Sequence, residues 1–227
     1  MHSQDTTTLQ QRNNISVIIA AAGSKYGLGG NPVSLLPIKN STLIDYQYRT
    51  IKKFLPKSDI ILVGGFEFDK LRNKIPSDII LIKNDKYAET NNVYSISLGL
   101  DAAKNNDVLV IHGNIFFKEN IMHCPWTKSF IFCSDAVLSD NKKLGCVIDK
   151  TVDNIMYGLP YNIFKITFLR NKELSLYKQF CFDKTNQQAY DWEILNKIID
   201  NGGKFYPHFK KNIDCLEIDC FADIKRI

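Results

Sequence analysis

The chain has 227 residues, 44% of them hydrophobic and 23% charged, with a formal net charge of +5. That composition excludes wholesale disorder, and the length allows a core that needs no metal or disulfide staple. The lysines are scattered, with only short clusters such as Lys142-Lys143 and Lys210-Lys211. This argues against a nucleic-acid groove and for a small acidic ligand or a solvated surface.

Residues 1–14, MHSQDTTTLQQRNN, are polar without the apolar stretch of a signal peptide and read as a flexible lead to one domain, 15–227. No apolar run reaches the length of about 18 residues that suggests a membrane span. A cytoplasmic protein with no membrane attachment is expected. The six cysteines include no CxxC pair and no zinc-site spacing. Cys133 and Cys146 lie in apolar runs, so reduced, buried thiols are the expectation.

SVIIAAA (16–22) reads as a buried strand, followed by a glycine-rich loop. Thr42 opens a helix through about Leu55, with Ile44, Tyr48, Ile51 and Leu55 on one face. Strands follow at 59–65 and 78–84, with a short helix near 67–74 between them. After DKYAETNN a helix carries Val93, Ile96, Leu100 and Ala103 on one face, with Asn92 or Thr90 as its cap. DVLVIHG (107–113) is the fourth strand.

This alternation predicts an α/β fold, a Rossmann-like three-layer sandwich with a mainly parallel sheet. Ligands in such sheets sit at the carboxyl ends of the strands. The loops 23–34, 84–92 and 113–117 should therefore converge on one edge. The second half reads as a run of strands at 129–135, 144–149, 153–158 and 161–167 with antiparallel pairing, then helices at about 171–180 and 188–201. A late strand at 213–219 and a terminal helix from Phe221 complete the chain.

The loop AAAGSKYGLGG lacks the GxGxxG spacing of dinucleotide sites. Its glycines would still let backbone N–H groups approach phosphates, and Lys25 could add a charge.

The order of several segments adds to this. SVIIAAAGSKYGLGGNPVSLLPIKNSTLIDYQ, KYAETNNVYSISLGL, DVLVIHGNIFF and the ending DWEILNKIIDNGGKFYPHF…CLEIDCFADIKR resemble, in consistent order over about 15–227, the sugar-nucleotidyltransferase superfamily. They look most like its branch of choline-phosphate cytidylyltransferases from bacterial surface-polysaccharide pathways. The resemblance implies a nucleotidyltransferase (glycosyltransferase-A-like) fold, with a nucleotide-binding part at about 15–117 and an acceptor-binding part at about 118–227. It implies transfer of an NMP unit, CMP above others, from a nucleoside triphosphate such as CTP to a small phosphorylated alcohol or sugar, with pyrophosphate released. By that resemblance Ala21, Ala22, Gly23 and Ser24 contact the nucleotide, Lys25 stands for the loop arginine, and Asn91, Asn92 and Ser95 lie near base and ribose. Gly113 and Asn114 stand at the family's Gly-Asp turn. Mg²⁺ would lie between position 114 and Asp219, which is preceded by Glu217 nearby.

Two positions depart from the pattern. Val33 stands where a lysine should follow Pro32, and Asn114 replaces the first metal aspartate. Mg²⁺ prefers carboxylate oxygens, so the expected site is weakened. Each lost transition-state donor costs about 10²–10³ in rate. Lys25 or Lys39 could replace the missing cation. If the chain is active, Lys25 and Asp219 are the catalytic candidates. If not, it is a nucleotide- or sugar-nucleotide-binding pseudoenzyme acting as a partner or regulatory subunit, and association with itself or another protein fits either reading.

Each candidate also has a plainer reading. Asp219 could be a strand-end carboxylate, Asn91-Asn92 a helix cap, Asn114 a turn residue and His112 a structural strand histidine. Trp126, Tyr157, Tyr161 and Trp192 could cage a quaternary ammonium group or simply pack the core.

Overall fold

The computed structural model describes residues 14–24, 29–137 and 141–227. The expected flexible lead, apart from Asn14, and Lys25 lie outside the described residues.

The parallel half follows the apolar pattern. Strand β1 (Ile15–Ala21) is followed along the chain by β2 (Pro37–Ile38), β3 (Ser41–Thr42) and helix α1 (Leu43–Phe54). Thr42 caps α1 by accepting a hydrogen bond from the Asp45 N–H. Then come β4 (Asp59–Gly64), α2 (Phe68–Arg72), β5 (Ile80–Lys83), α3 (Asn92–Ala102) and β6 (Asp107–His112). β1 pairs in parallel with β4 and β6, and β4 with β5.

Along β1, Ile15, Val17, Ile19 and Ala21 join one core cluster with Ile44 and Ile51 of α1, while Ile18 joins another with Val93 and Ile96 of α3. That period-two alternation covers both faces of the sheet with helices. Each such buried aliphatic contributes about 1.5–3 kcal/mol. Gly99 lets α3 lie against β1, since a Cβ there would stand 2.5 Å from Ile18 Cγ2.

The rest of the chain adds β7 (Ile115–Phe117), β8 (Phe130–Val137), β9 (Leu144–Asp149), β10 (Thr151–Tyr157) and β11 (Tyr161–Arg170). Helices α4 (Asn171–Phe182) and α5 (Asp191–Asp200) precede β12 (Tyr206–Lys210), β13 (Cys215–Glu217) and α6 (Phe221–Ile224). β11 is antiparallel to β6, β8 and β9, which joins this region to the parallel strands in one nine-stranded sheet. The fold is therefore the expected Rossmann-like sandwich with a mixed sheet.

Local expectations shift by a few residues. The helix near 67–74 is only Phe68–Arg72, and the late strand shrinks to Cys215–Glu217. Asn91, rather than Asn92 or Thr90, caps α3, accepting from the Asn92 N–H at 2.8 Å. All six cysteines are free, with Cys133 and Cys146 sulfurs 3.6 Å apart. The Cys146 contact and burial push the Cys133 thiol well up, so it stays neutral. Among the described residues no helix is long and apolar enough to cross a membrane.

Candidate functional site

The sheet order runs β5-β4-β1-β6-β11, so the chain leaves β1 toward one edge and returns on its other side at β6. The crevice at the carboxyl ends of β1 and β6 is thus a topological switch point. There the Gly113 N–H donates to the Ala20 carbonyl at 2.8 Å, and the Phe66 N–H donates to the Ala22 carbonyl at 2.8 Å. Ala21 and Ala22 are buried, whereas Gly23 and Ser24 are exposed at the start of the loop. Val33 is buried with Leu36, Ile38, Leu43, Phe116 and Ile218, an apolar setting in place of a cation.

Asn114 leaves β6 and is 7% exposed. β13 pairs with β7, setting Glu217 opposite Ile115 and carrying the late carboxylates to Asn114. The Ile218 N–H donates to the Asn114 backbone carbonyl at 2.8 Å. The Asn114 side-chain Nδ2 donates to Glu217 Oε1 at 3.1 Å, the Ile218 carbonyl at 3.3 Å and Asp219 Oδ1 at 3.4 Å.

The third party at this point is Lys165, whose ammonium forms an ion pair with Glu217. Lys165 lies in β11 where the register to β8 jumps, from Ile163 opposite Cys133 to Thr167 opposite Ile131. Its φ of 54° is the left-handed region, unusual for a lysine inside a strand. A bulge of this kind re-aims a side chain out of the pleat. Lys39, by contrast, holds its ammonium over the rings of Tyr46 and Phe116, at 5.8 and 5.7 Å.

These groups do not fit a protein-held magnesium ion. The site offers the carboxylates of Glu217 and Asp219, but the Asn114 N–H donors and the Lys165 ammonium already face them. Among the described residues no group of three or more His, Cys, Asp or Glu side chains is placed to hold a metal.

Two cavities meet here, sharing Lys165, Glu217, Leu144, Tyr157 and Ile163. The larger, about 520 Å³, carries Lys142, Lys143 and Arg226 as well as Asp219 and Asp223. The smaller, about 250 Å³, is lined by Asn91, Asn92, His112, Asn114, Asp191 and Trp192 among others. Asp191 is 4% exposed; Tyr177 donates its hydroxyl to one carboxylate oxygen and His112 Nε2 lies 3.2 Å from the other. Burial and the Asp191 charge push the Tyr177 phenol well up, keeping it a donor. The Asp191 N–H donates to Asn92 Oδ1 at 2.8 Å, tying α5 to α3.

The structure thus brings Asn91, Asn92, Asn114 and the Glu217–Asp219 turn together, with Ala20 and Ala21 against Gly113. Ser95 is not among the cavity residues: it is buried and takes a hydrogen bond from Asn84 Nδ2 at 3.0 Å. The four-aromatic cage does not form. Trp126 packs on Phe130 and Phe168, and Tyr161 on Phe209, leaving Tyr157 against Trp192 at 6.2 Å. Lys165, Asp191 and Tyr177 escaped the sequence reading. A lysine alone in the apolar run YNIFKIT was the available signal for the first; nothing local marks the other two.

The model of a family described as Domain of unknown function (DUF6564) matches residues 38–157, more than half of the chain, and the chain belongs to that family. The choline-phosphate cytidylyltransferase of Streptococcus pneumoniae (strain ATCC BAA-255 / R6) is 28% identical over 164 residues, 65% of this chain and 69% of that protein. Among solved structures, the CTP:phosphocholine cytidylyltransferase of S. pneumoniae matches with TM-score 0.75 and 22% identity, covering 94% of this chain and 97% of that one. A putative glucose-1-phosphate thymidylyltransferase from Bacillus anthracis matches with TM-score 0.74 and 14% identity, covering 93% of each chain. Sequence and structure therefore match the sugar-nucleotidyltransferase superfamily.

Proposed function

We propose that this family member catalyses nucleotidyl transfer in the cytoplasm, from a nucleoside triphosphate, CTP by the names of its relatives, to a small phosphorylated alcohol bearing a positive charge. The observation that carries this reading is the pair of cavities joined at Lys165, beside the carboxyl end of β6 where His112 and Asn114 stand. The triphosphate would lie over Ala21, Ala22, Gly23 and Ser24, with Lys25 the candidate cation of that loop. The acceptor phosphate would face Lys165, within a rim of Lys142, Lys143 and Arg226. Its cationic head would enter the smaller cavity, where Tyr157 and Trp192 supply aromatic surface and Asp191 supplies a buried carboxylate. A cation seated against aromatic faces and a carboxylate is held by both.

An acceptor phosphate oxygen then attacks the α-phosphorus in line; the new O–P bond forms as the bond to the β-phosphate breaks, and pyrophosphate leaves. Fixed cations that offset the charge developing there lower the barrier. Lys165 is the cation best supported for that role.

A second reading, a ligand-binding protein without turnover acting as a partner or regulatory subunit, is favoured by buried Val33 and by Asn114 acting as a donor. The test is pyrophosphate release from the four common nucleoside triphosphates, with phosphocholine or a hexose 1-phosphate as acceptor. CTP with phosphocholine should be fastest, and Asp191→Asn should raise the KM for phosphocholine about tenfold, a loss of about 1.4 kcal/mol. Binding of phosphocholine or CDP-choline without release selects the second reading. Neither binding nor release sinks both.

A further inference from the structure

We infer that Lys165 fills, at the carboxylates of this site, the place a divalent cation would take, so that the protein holds no divalent ion of its own there and binds phosphate esters without one. The inference rests on reading the joined cavities as a phosphate site, and it deepens that reading by naming what balances the charge.

Three observations carry it. First, position 114 turns a neutral amide Nδ2 toward Glu217 and Asp219, where a carboxylate would add the negative charge a hard cation prefers. Second, the Lys165 ammonium is already paired with Glu217, and a metal on the same carboxylate would meet it as a like charge. Third, the lysine reaches that point only through the bulge in β11 and a left-handed backbone at φ 54°. Conformations of that kind persist where the surrounding structure over-determines them, and they gather at functional sites.

The neutral amide at position 114 and the ammonium of Lys165 therefore act on the same carboxylates in the same direction. Glu217 and Asp219 face a neutral amide at Asn114 and an amine at Lys165. An ammonium also differs from a metal in what it leaves for the ligand. Lysine has three N–H donors on a flexible stem, so one can serve Glu217 while another meets a phosphate oxygen. Lys165 lines both cavities, as that dual use requires.

Two measurements on the full chain test this. In a Mn²⁺ titration followed by electron paramagnetic resonance, the wild type should leave the free-ion spectrum intact. Lys165→Met combined with Asn114→Asp, which removes the ammonium and adds a third carboxylate, should take up Mn²⁺ at least about tenfold more tightly. In calorimetry, phosphocholine should bind the wild type equally well with excess Mg²⁺ or with EDTA, and Lys165→Met should weaken it about tenfold or more.

Stoichiometric Mn²⁺ uptake by the wild type would overturn the inference, as would a tenfold gain in phosphocholine affinity on adding Mg²⁺. So would unchanged phosphocholine binding by folded Lys165→Met. The wild-type arms stand even if the double variant fails to fold. If phosphocholine binds under neither condition, the proposed function falls, and the Mn²⁺ titration alone decides the inference.

Discussion

The parallel strands β1, β4, β5 and β6 and the mixed region from β7 onward differ in what they contribute. The first is a regular frame whose polar residues mostly serve the frame itself: Ser95 holds Asn84, Asn91 caps α3, and Ala20 and Ala22 accept backbone hydrogen bonds from neighbouring loops. The second carries the groups able to act on a ligand, Lys165 on a bulge, Asp191 at a helix start and Glu217 at a strand end. The regular half sets where the crevice is, and the irregular half decides its chemistry.

The comparison breaks most sharply at β11, where the two regions join. Phe168 is fully buried there, opposite Leu109 of β6 and Phe130 of β8, with the rings of Trp126 and Phe130 each 5.2 Å away. Phe168→Ala should cost about 3–5 kcal/mol, read from the shift of the urea midpoint. Both tryptophans, Trp126 and Trp192, lie in the second region, so their fluorescence reports it while far-ultraviolet circular dichroism reports both. The two curves should coincide. Separate transitions would mean that the regions unfold independently and that β11 is not the seam.

The frame was legible because its signals are local. The apolar run of β1, the one-sided spacing of Ile44, Ile51 and Leu55, and the Thr42 cap each declare themselves within a single helix or strand. The second region hides its elements. β12 carries Pro207, tolerated because among the described residues it pairs with β8 alone, and β7 is three residues long. The site was half legible for the same reason. Asn114 and Asp219 stood at strand ends that a family resemblance could mark, whereas the Asp191 partners His112 and Tyr177 lie on other elements. No spacing rule reaches across such pairs. The bulge that aims Lys165 is set by how β11 shares its neighbours β6, β8 and β9, a property of the assembled sheet rather than of any segment.

A smaller effect sharpens what the glycine after β6 is for. A Cβ on Gly113 would stand 2.3 Å from the Ala21 Cβ and 2.8 Å from its Cα, so the neighbouring backbone would have to move. Gly113→Ala should therefore cost about 1–3 kcal/mol in urea unfolding, without any ligand present. Unchanged stability with weakened nucleotide binding would instead assign the glycine to ligand approach, moving it from the frame to the chemistry.

The smallest effect lies in the second region, at the end of the larger cavity. Burial alone would raise the Asp223 carboxyl, but N–H groups of Asp219 and Cys220, with the Cys220 thiol and Arg226, outweigh it and hold the group below its ordinary value. Its Oδ2 accepts from the Asp219 N–H at 2.9 Å and the Cys220 N–H at 3.0 Å, closing the start of α6 beside the Asp219 carboxylate. Asp223→Ala should cost about 1 kcal/mol at neutral pH, the usual worth of such a cap. Because the folded carboxyl sits below its unfolded value, this stabilisation is complete above the ordinary carboxylate range and is lost as the pH falls through the folded value. Urea midpoints of wild type and variant should therefore differ at neutral pH and converge in acid. A gap that persists at low pH would mean that Asp223 acts through packing, and that the turn carrying Asp219 is held by something other than these two hydrogen bonds.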